Sequence, residues 1–209
     1  MNHDLSVFDA LRTAQGMMTV SEITKLVEQG NTIFDPFSVL ISSSVQIGTG
    51  NTIHPCVSII ASDDASLVIG DGNAFYPNCS FLAEGAAIEI GSDNQFGEGG
   101  FTAKANRPGV CISIADDGRY IGGASVFGNT HLGDGCQLIG AISVDSCKLE
   151  GGNSWRHSDA DMRGALLKGF GTARYISIKR GQVIDGRWMF SVEEIKPQSF
   201  FHLKESTRS

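Results

Sequence analysis

The chain has 209 residues, 41% of them hydrophobic, with 26 Gly, 5 Pro and a formal charge of −7, which suits one good-sized domain with appendages. The acidic balance argues against nucleic acid as the main partner, because phosphates ask for a basic surface, and no apolar run approaches the length of a membrane span. The first residues lack the basic start and apolar stretch of a signal peptide, and the 5 Cys form no CxxC pair; together these read as a cytoplasmic protein with reduced thiols.

In chain order, two short helices are expected first, over 6–15 and 19–29. Thr19 and Glu22 have the spacing of a capping box, and Gly16 and Gly30 stand where helix C-terminal glycines belong. From Val45 the pattern changes. "IGTGNT" starts at 47, "IGDGNA" at 69, "IGSDNQ" at 90 and "LGDGCQ" at 132, with weaker members "IADDGR" at 114 and "LEGGNS" at 149. Inside each unit the period is six. Ile47, Ile53 and Ile59 are followed by Ile69, Phe75 and Phe81, by Ile90, Phe96 and Thr102, and later by Leu132, Leu138 and Val144. Small or slim residues (Val57, Cys79, Gly100, Cys136) lie two before some of these rungs, and Asn51, Asn73, Asn94 and Asn153 fall in one column. Three six-residue sides make a triangular coil of about eighteen residues, and stacked coils pair each strand with those above and below while like residues stack on like. The expectation is a parallel β-helix.

The excess over six residues is localised. Ten residues separate Ile59 from Ile69, nine Phe81 from Ile90, and twelve Thr102 from Ile114, so three insertions should project from one corner. The third carries Lys104, Arg107 and Pro108 and is the expected functional loop. After Trp155 the six-residue pattern fades, and Asp185-Gly186 reads as a hairpin turn within a β-rich end. The division expected is 1–40 as a helical cap, 41–154 as the β-helix and 155–209 as a C-terminal β-rich extension. Residues 1–150 carry 6 basic and 17 acidic side chains, whereas 155–188 carry 7 basic and 3 acidic. That basic stretch, with Arg156, Lys179 and Arg180, would suit phosphates or an acidic neighbouring subunit.

These aliphatic-Gly-Asp-x-Asn units resemble the hexapeptide-repeat superfamily over about residues 45–154. The resemblance implies an all-β fold, a left-handed parallel β-helix, and usually a homotrimer. It also implies transfer of an acyl group, such as acetyl from acetyl-coenzyme A, to a hydroxyl or amine of a small sugar-like acceptor, with a His as general base and no metal. On that reading coenzyme A is a cosubstrate and no cofactor is permanently bound. Lys104, Arg107, Arg156, Lys179 and Arg180 become the candidates for its phosphates. Two other branches of the superfamily are non-catalytic binding or assembly modules and γ-carbonic-anhydrase-like zinc proteins. The latter need His residues on neighbouring coils, whereas His54 and His131 lie many coils apart.

Of five His, His3 and His202 lie in the terminal segments, and His54 in "IHP" falls at a corner. His131 directly precedes the Leu132 rung, so it should point outward, with Asn129 beside it; both are candidate catalytic residues. His157 follows the last unit, with Asp159 and Asp161 near enough to orient an imidazole, and is the second candidate base. "FGNTHLGDG" does not place its His where the sugar-nucleotide acyltransferases place theirs.

Overall fold

The computed structural model describes residues 5–202; His3 lies outside them. The chain is mostly β, a parallel β-helix of stacked hexapeptide coils consistent with left-handed winding, with two short helices at its start. The first face holds Thr32–Ile33, Thr52–Ile53, Ala74–Phe75, Gln95–Gly97, Arg119–Ile121 and Gln137–Ile139. The second holds Leu40–Ile41, Ser58–Ala61, Cys79–Ala83, Phe101–Ala105, Ala124–Phe127 and Ile142–Asp145. The third is seven strands deep: Gln46–Ile47, Ser66–Ile69, Ala87–Ile90, Cys111–Ile114, His131–Leu132, Lys148–Leu149 and Ser177–Ile178.

The repeat motif explains the corner between third and first faces. Its fourth position is left-handed in successive coils, at Gly50, Gly72, Asp93, Asp117 and Gly135, which turns the chain within four residues. Its first Gly is needed for room: a Cβ on Gly70 would stand 2.8 Å from the Gly91 carbonyl oxygen of the next coil. The Asp stitches coils together, Asp71 accepting from the Thr49 amide and Asp116 from the Ser92 amide, both at 2.7 Å. The Asn turns inward. Asn31, Asn51, Asn73 and Asn94 are buried, and each carbonyl accepts the amide of the next member, the last being Gly118. A ladder of this kind satisfies polar groups that would cost about 1–3 kcal/mol each if left unpaired in the core.

Two expectations about this column change. Asn31 heads the ladder before the recognisable repeats begin. Asn153 is not in it: the residue is exposed and bridges to Arg163 instead. One coil earlier Cys136 occupies the inward corner and its thiol contacts the Leu149 and Glu150 carbonyls; below it Ala165 takes the place.

The rungs are buried as expected from Ile53 to Phe96, and again at Ile114, Leu132, Leu138 and Val144. Thr102 is the exception. Ala103, not Thr102, stands opposite Phe81, and Phe101, not Gly100, stands opposite Cys79. One extra residue is absorbed at the corner, where Gly97, Glu98, Gly99 and Gly100 all have positive φ. Volume is conserved between coils, Cys79 with Phe81 being replaced by Phe101 with Ala103. Phe75, Phe96 and Tyr120 stack at centroid distances of 5.3 and 5.2 Å, with Phe81 edge-on to the first two.

The ends differ from expectation in detail. Helix α2 (Val20–Glu28) has the capping box at Thr19 and buries Val20, Ile23 and Leu26 over the first coil. Helix α1 (Ser6–Ala14) buries none of its side chains; Asp9 holds it through the Val20 amide and Arg12 through the Val39 and Phe37 carbonyls. At the other end the strands do not form a separate hairpin unit. Leu166–Arg174 spans the first two faces of a seventh coil, with Leu167 under Leu138 and Ala173 under Val144. Gln182–Met189 then runs parallel to it straight through Asp185 and Gly186, so no turn forms there. Between first and second faces, positive-φ glycines at 169 and 171 make the corner that Cys56 and Asn78 make in the upper coils. Among the described residues no helix is long and apolar enough to cross a membrane.

Candidate functional site

His131 stands exposed on the third face, as its position before Leu132 requires. In-register pairing sets it in an outward column that runs Gln46, Val68, Glu89, Ser113, His131, Lys148 and Ser177. Neighbours in such a column are about 4.8 Å apart along the stack, so Ser113 and Lys148 flank the imidazole and Glu89 lies one strand further. His131 makes no side-chain hydrogen bond among the described residues. Beside the column is a groove of 390 Å³ lined by Val68, Glu89, Ile90, Gly91, Ser113 and Ile114. Glu89, Ser113 and Lys148 were not singled out from sequence, although each directly precedes an aliphatic rung, the same signal that identified His131.

Asn129 does not orient His131. Its side-chain oxygen accepts from the Cys111 amide at 2.9 Å, and Thr130 is buried, donating to the Phe127 carbonyl. Burial first, then the Glu89 carboxylate, raises the Cys111 thiol above its ordinary value, so it stays neutral beside the column. His157 is tied into its own loop: Nδ1 lies 3.2 Å from the Asp159 amide and 3.1 Å from the Asp159 carbonyl. The aspartate side chains expected to orient it are committed elsewhere, Asp159 to the Asp161 amide and Asp161 to the Ser199 amide. His54 sits on the first face between Phe34 and Tyr76, with ring centroids 4.7 and 4.9 Å away, and His202 is exposed.

The cationic candidates are not brought together. Lys104 lies on the second face between Leu82 and Phe127. Arg107 reaches from the third insertion to Asp145 at 3.0 Å. Arg156 lies over the Trp155 ring at 4.2 Å. Lys179 and Arg180 are exposed at the last coils, where Arg180 lines a 310 Å³ hollow with Asp161 and Lys196. The three insertions do leave from one corner, between second and third faces, and frame a shallow 510 Å³ hollow with Asp64, Gly85 and Cys111 in its lining. Asp64 is held below the usual carboxylate range by the Ser62 hydroxyl. Cys79, Cys136 and Cys147 are buried, Cys111 is half-buried and Cys56 is exposed.

Fold and site together define a parallel β-helix that displays a mixed polar column, Glu89 to Lys148, on one flat face. No protein-family model matches the sequence, and no curated protein does. Among solved structures the chain is similar to a Bacillus cereus protein described as a candidate acetyltransferase, 13% identical over 82% of this chain and 78% of that one, with a TM-score of 0.35. It is also similar to LpxA from Acinetobacter baumannii, 19% identical over 75% of this chain and 69% of that one, with a TM-score of 0.35. Neither likeness fixes a substrate or a residue role for this chain.

Proposed function

We propose that this chain transfers an acyl group, acetyl in the simplest case, from a coenzyme A thioester to a hydroxyl or amine of a small sugar-like acceptor, with His131 as general base. The observation that carries the reading is the exposed His131 imidazole, with no hydrogen bond of its own, in an outward column with Ser113 and Lys148 and next to a 390 Å³ groove. A neutral imidazole takes the acceptor proton as the acceptor oxygen or nitrogen attacks the thioester carbonyl, and then returns a proton to the departing thiolate. Ser113 and Glu89 offer hydrogen bonds to acceptor hydroxyls. A groove open to solvent on one chain becomes an enclosed cleft when a second copy covers the third face, so the reading includes a homotrimer, acting in the cytoplasm. Asn129 supports the strand beside His131 rather than the reaction.

The test is turnover of acetyl-coenzyme A against a panel of amino and neutral sugars. His131→Ala should lower kcat by about 10²–10⁴-fold, the usual scale of general-base loss, and leave the melting temperature unchanged. Equal turnover in the variant and parent would remove His131. Loss in His157→Ala alone would move the base to the other histidine. A second reading, a non-catalytic binding or assembly module, is favoured by the scatter of Lys104, Arg107, Arg156, Lys179 and Arg180 over different parts of the stack. It predicts that acetyl-coenzyme A leaves the melting temperature where it was, whereas a ligand of the native state raises it.

A further inference from the structure

We infer that Arg119, Gln137, Trp155 and Arg156 form a binding site for a phosphate-bearing ligand, apart from the His131 column; the site stands without the acyl-transfer reading, and only the source of the phosphate rests on it. Arg119 and Gln137 stand outward on the first face in direct register. The segment after Leu149 leaves the coil path and lays Trp155 against Arg119. The Arg119 and Arg156 guanidinium carbons lie 4.7 and 4.2 Å from the centroid of the same indole, which holds two positive charges within roughly 9 Å of one another.

The hydrogen-bonding of this cluster is incomplete. Arg119 Nε and Trp155 Nε1 are shielded from solvent and have no acceptor among the described residues. Gln137 is 5% exposed, and its side-chain amide bonds to nothing among the described residues. Neither guanidinium makes a side-chain hydrogen bond. Among the described residues the one carboxylate within 4 Å of either is Glu98, whose oxygen is 3.9 Å from Arg119 and whose side chain is half exposed, too far for a hydrogen bond. Asp116 and Asp134, three residues before Arg119 and Gln137, are already spent on the amides of Ser92 and Asp116. Tyr120 Oη is also unpartnered but faces the core and belongs to the aromatic stack.

Stacking on an indole fixes a guanidinium plane and leaves its N–H edge free, and such edges match the oxygens of a phosphate in a forked geometry. If the cluster were only a latch for the loop, it would hold like charges together and leave buried donors dry, which costs free energy at each one. A phosphate group on the open guanidinium edges relieves the like-charge penalty, while the shielded Arg119 Nε and Trp155 Nε1 lie out of its direct reach. Its source is either the nucleotide part of a cosubstrate or a phosphorylated acceptor.

The chain has 2 Trp, so Trp188→Phe, at an exposed residue, leaves Trp155 as the sole indole reporter. Titration of that variant with pyrophosphate should give a saturable change in emission, with calorimetry on the parent chain returning the same Kd. Arg156→Gln should weaken binding by at least about tenfold, the scale of one lost charge-assisted pair, and Arg119→Gln/Arg156→Gln should abolish it. The inference is overturned if pyrophosphate gives no saturable response up to about 10 mM, or if Arg156→Gln, folded by its melting curve, binds as tightly as the parent. Competition by adenosine 3′,5′-bisphosphate against glucose 1-phosphate separates the sources: the tighter competitor marks whether cosubstrate or acceptor supplies the phosphate.

Discussion

The first four coils and the last three solve the same problem with different residues. In the upper coils the corner is made by the aliphatic-Gly-Asp-x-Asn unit, and four buried Asn pass hydrogen bonds from coil to coil. From the fifth coil down the Asn is gone. Gly118 leaves the space that Tyr120 fills from inside, Cys136 takes the next corner, and Gly164 and Ala165 the one after. The other corner compensates, with positive-φ glycines at 122, 123, 140, 169 and 171. The lesson is that a coil needs a left-handed residue, a satisfied corner amide and a filled rung, while the motif is only one way to supply them.

The largest break in this comparison should come from Phe96, which contacts Phe75, Phe81, Phe101 and Tyr120 where the two halves meet. Phe96→Ala is expected to cost about 3–5 kcal/mol, read as a loss of denaturant midpoint. A cost under about 1 kcal/mol would mean that the two halves are not joined through this stack.

Next is the ladder. Asn73 donates to Asn51 and to the Gly91 carbonyl and accepts from the Asn94 amide. Asn73→Ala strands buried partners on both sides and should cost about 2–4 kcal/mol. Cys136→Ala, at the matching corner of the lower half, should cost about 1 kcal/mol because its thiol only supplements bonds the backbone already makes. Equal costs at the two positions would show that the ladder is dispensable.

Thiol chemistry sharpens the contrast further. Burial pushes Cys79 and Cys136, one from each half, up to about 12. Both should resist iodoacetamide in the native chain while exposed Cys56 is labelled, as mass spectrometry would read. The sign for stability follows. A group whose folded pKa is raised supports the fold below the pKa of a free thiol, near 8.5. That support is lost as pH rises from there toward about 12. Rapid labelling of Cys136 with Cys79 protected would mean that the lower coils open on their own.

The smallest effect is expected at the pair that ties the third insertion to the sixth coil. Arg107 and Asp145 meet at 3.0 Å, but the arginine side chain is 54% exposed, so Arg107→Ala should cost no more than about 0.5 kcal/mol. Titration calorimetry with acetyl-coenzyme A asks separately whether Arg107 binds it.

How far the sequence could be read follows the same division. Ile53, Ile69, Phe75, Phe96, Leu132 and Leu138 were legible as rungs because the motif before each fixes the phase. Thr102 was misplaced because the glycine-rich corner before it carries one residue more than the period, and no pattern marks where the excess sits. Leu167, Ala173 and Ile178 were missed because no clear motif precedes them, and Asp185-Gly186 looks like a hairpin turn until Gly169 is seen above it. Asn129 lay beside His131 in sequence, yet its side chain faces the Cys111 amide; the partner of a side chain depends on the coil above it, not on its neighbour in the chain.

Periodicity by itself determined the stacked-coil architecture, the single corner from which all three insertions leave and the outward direction of His131, because each depends only on residue phase within a repeating backbone. Tertiary structure alone decided which side chains meet across coils. Ser113 and, one strand further, Glu89 line up with His131, and Arg119 receives Trp155, through contacts between residues 18 to 36 positions apart, set by the register of stacked strands and by where one loop folds back.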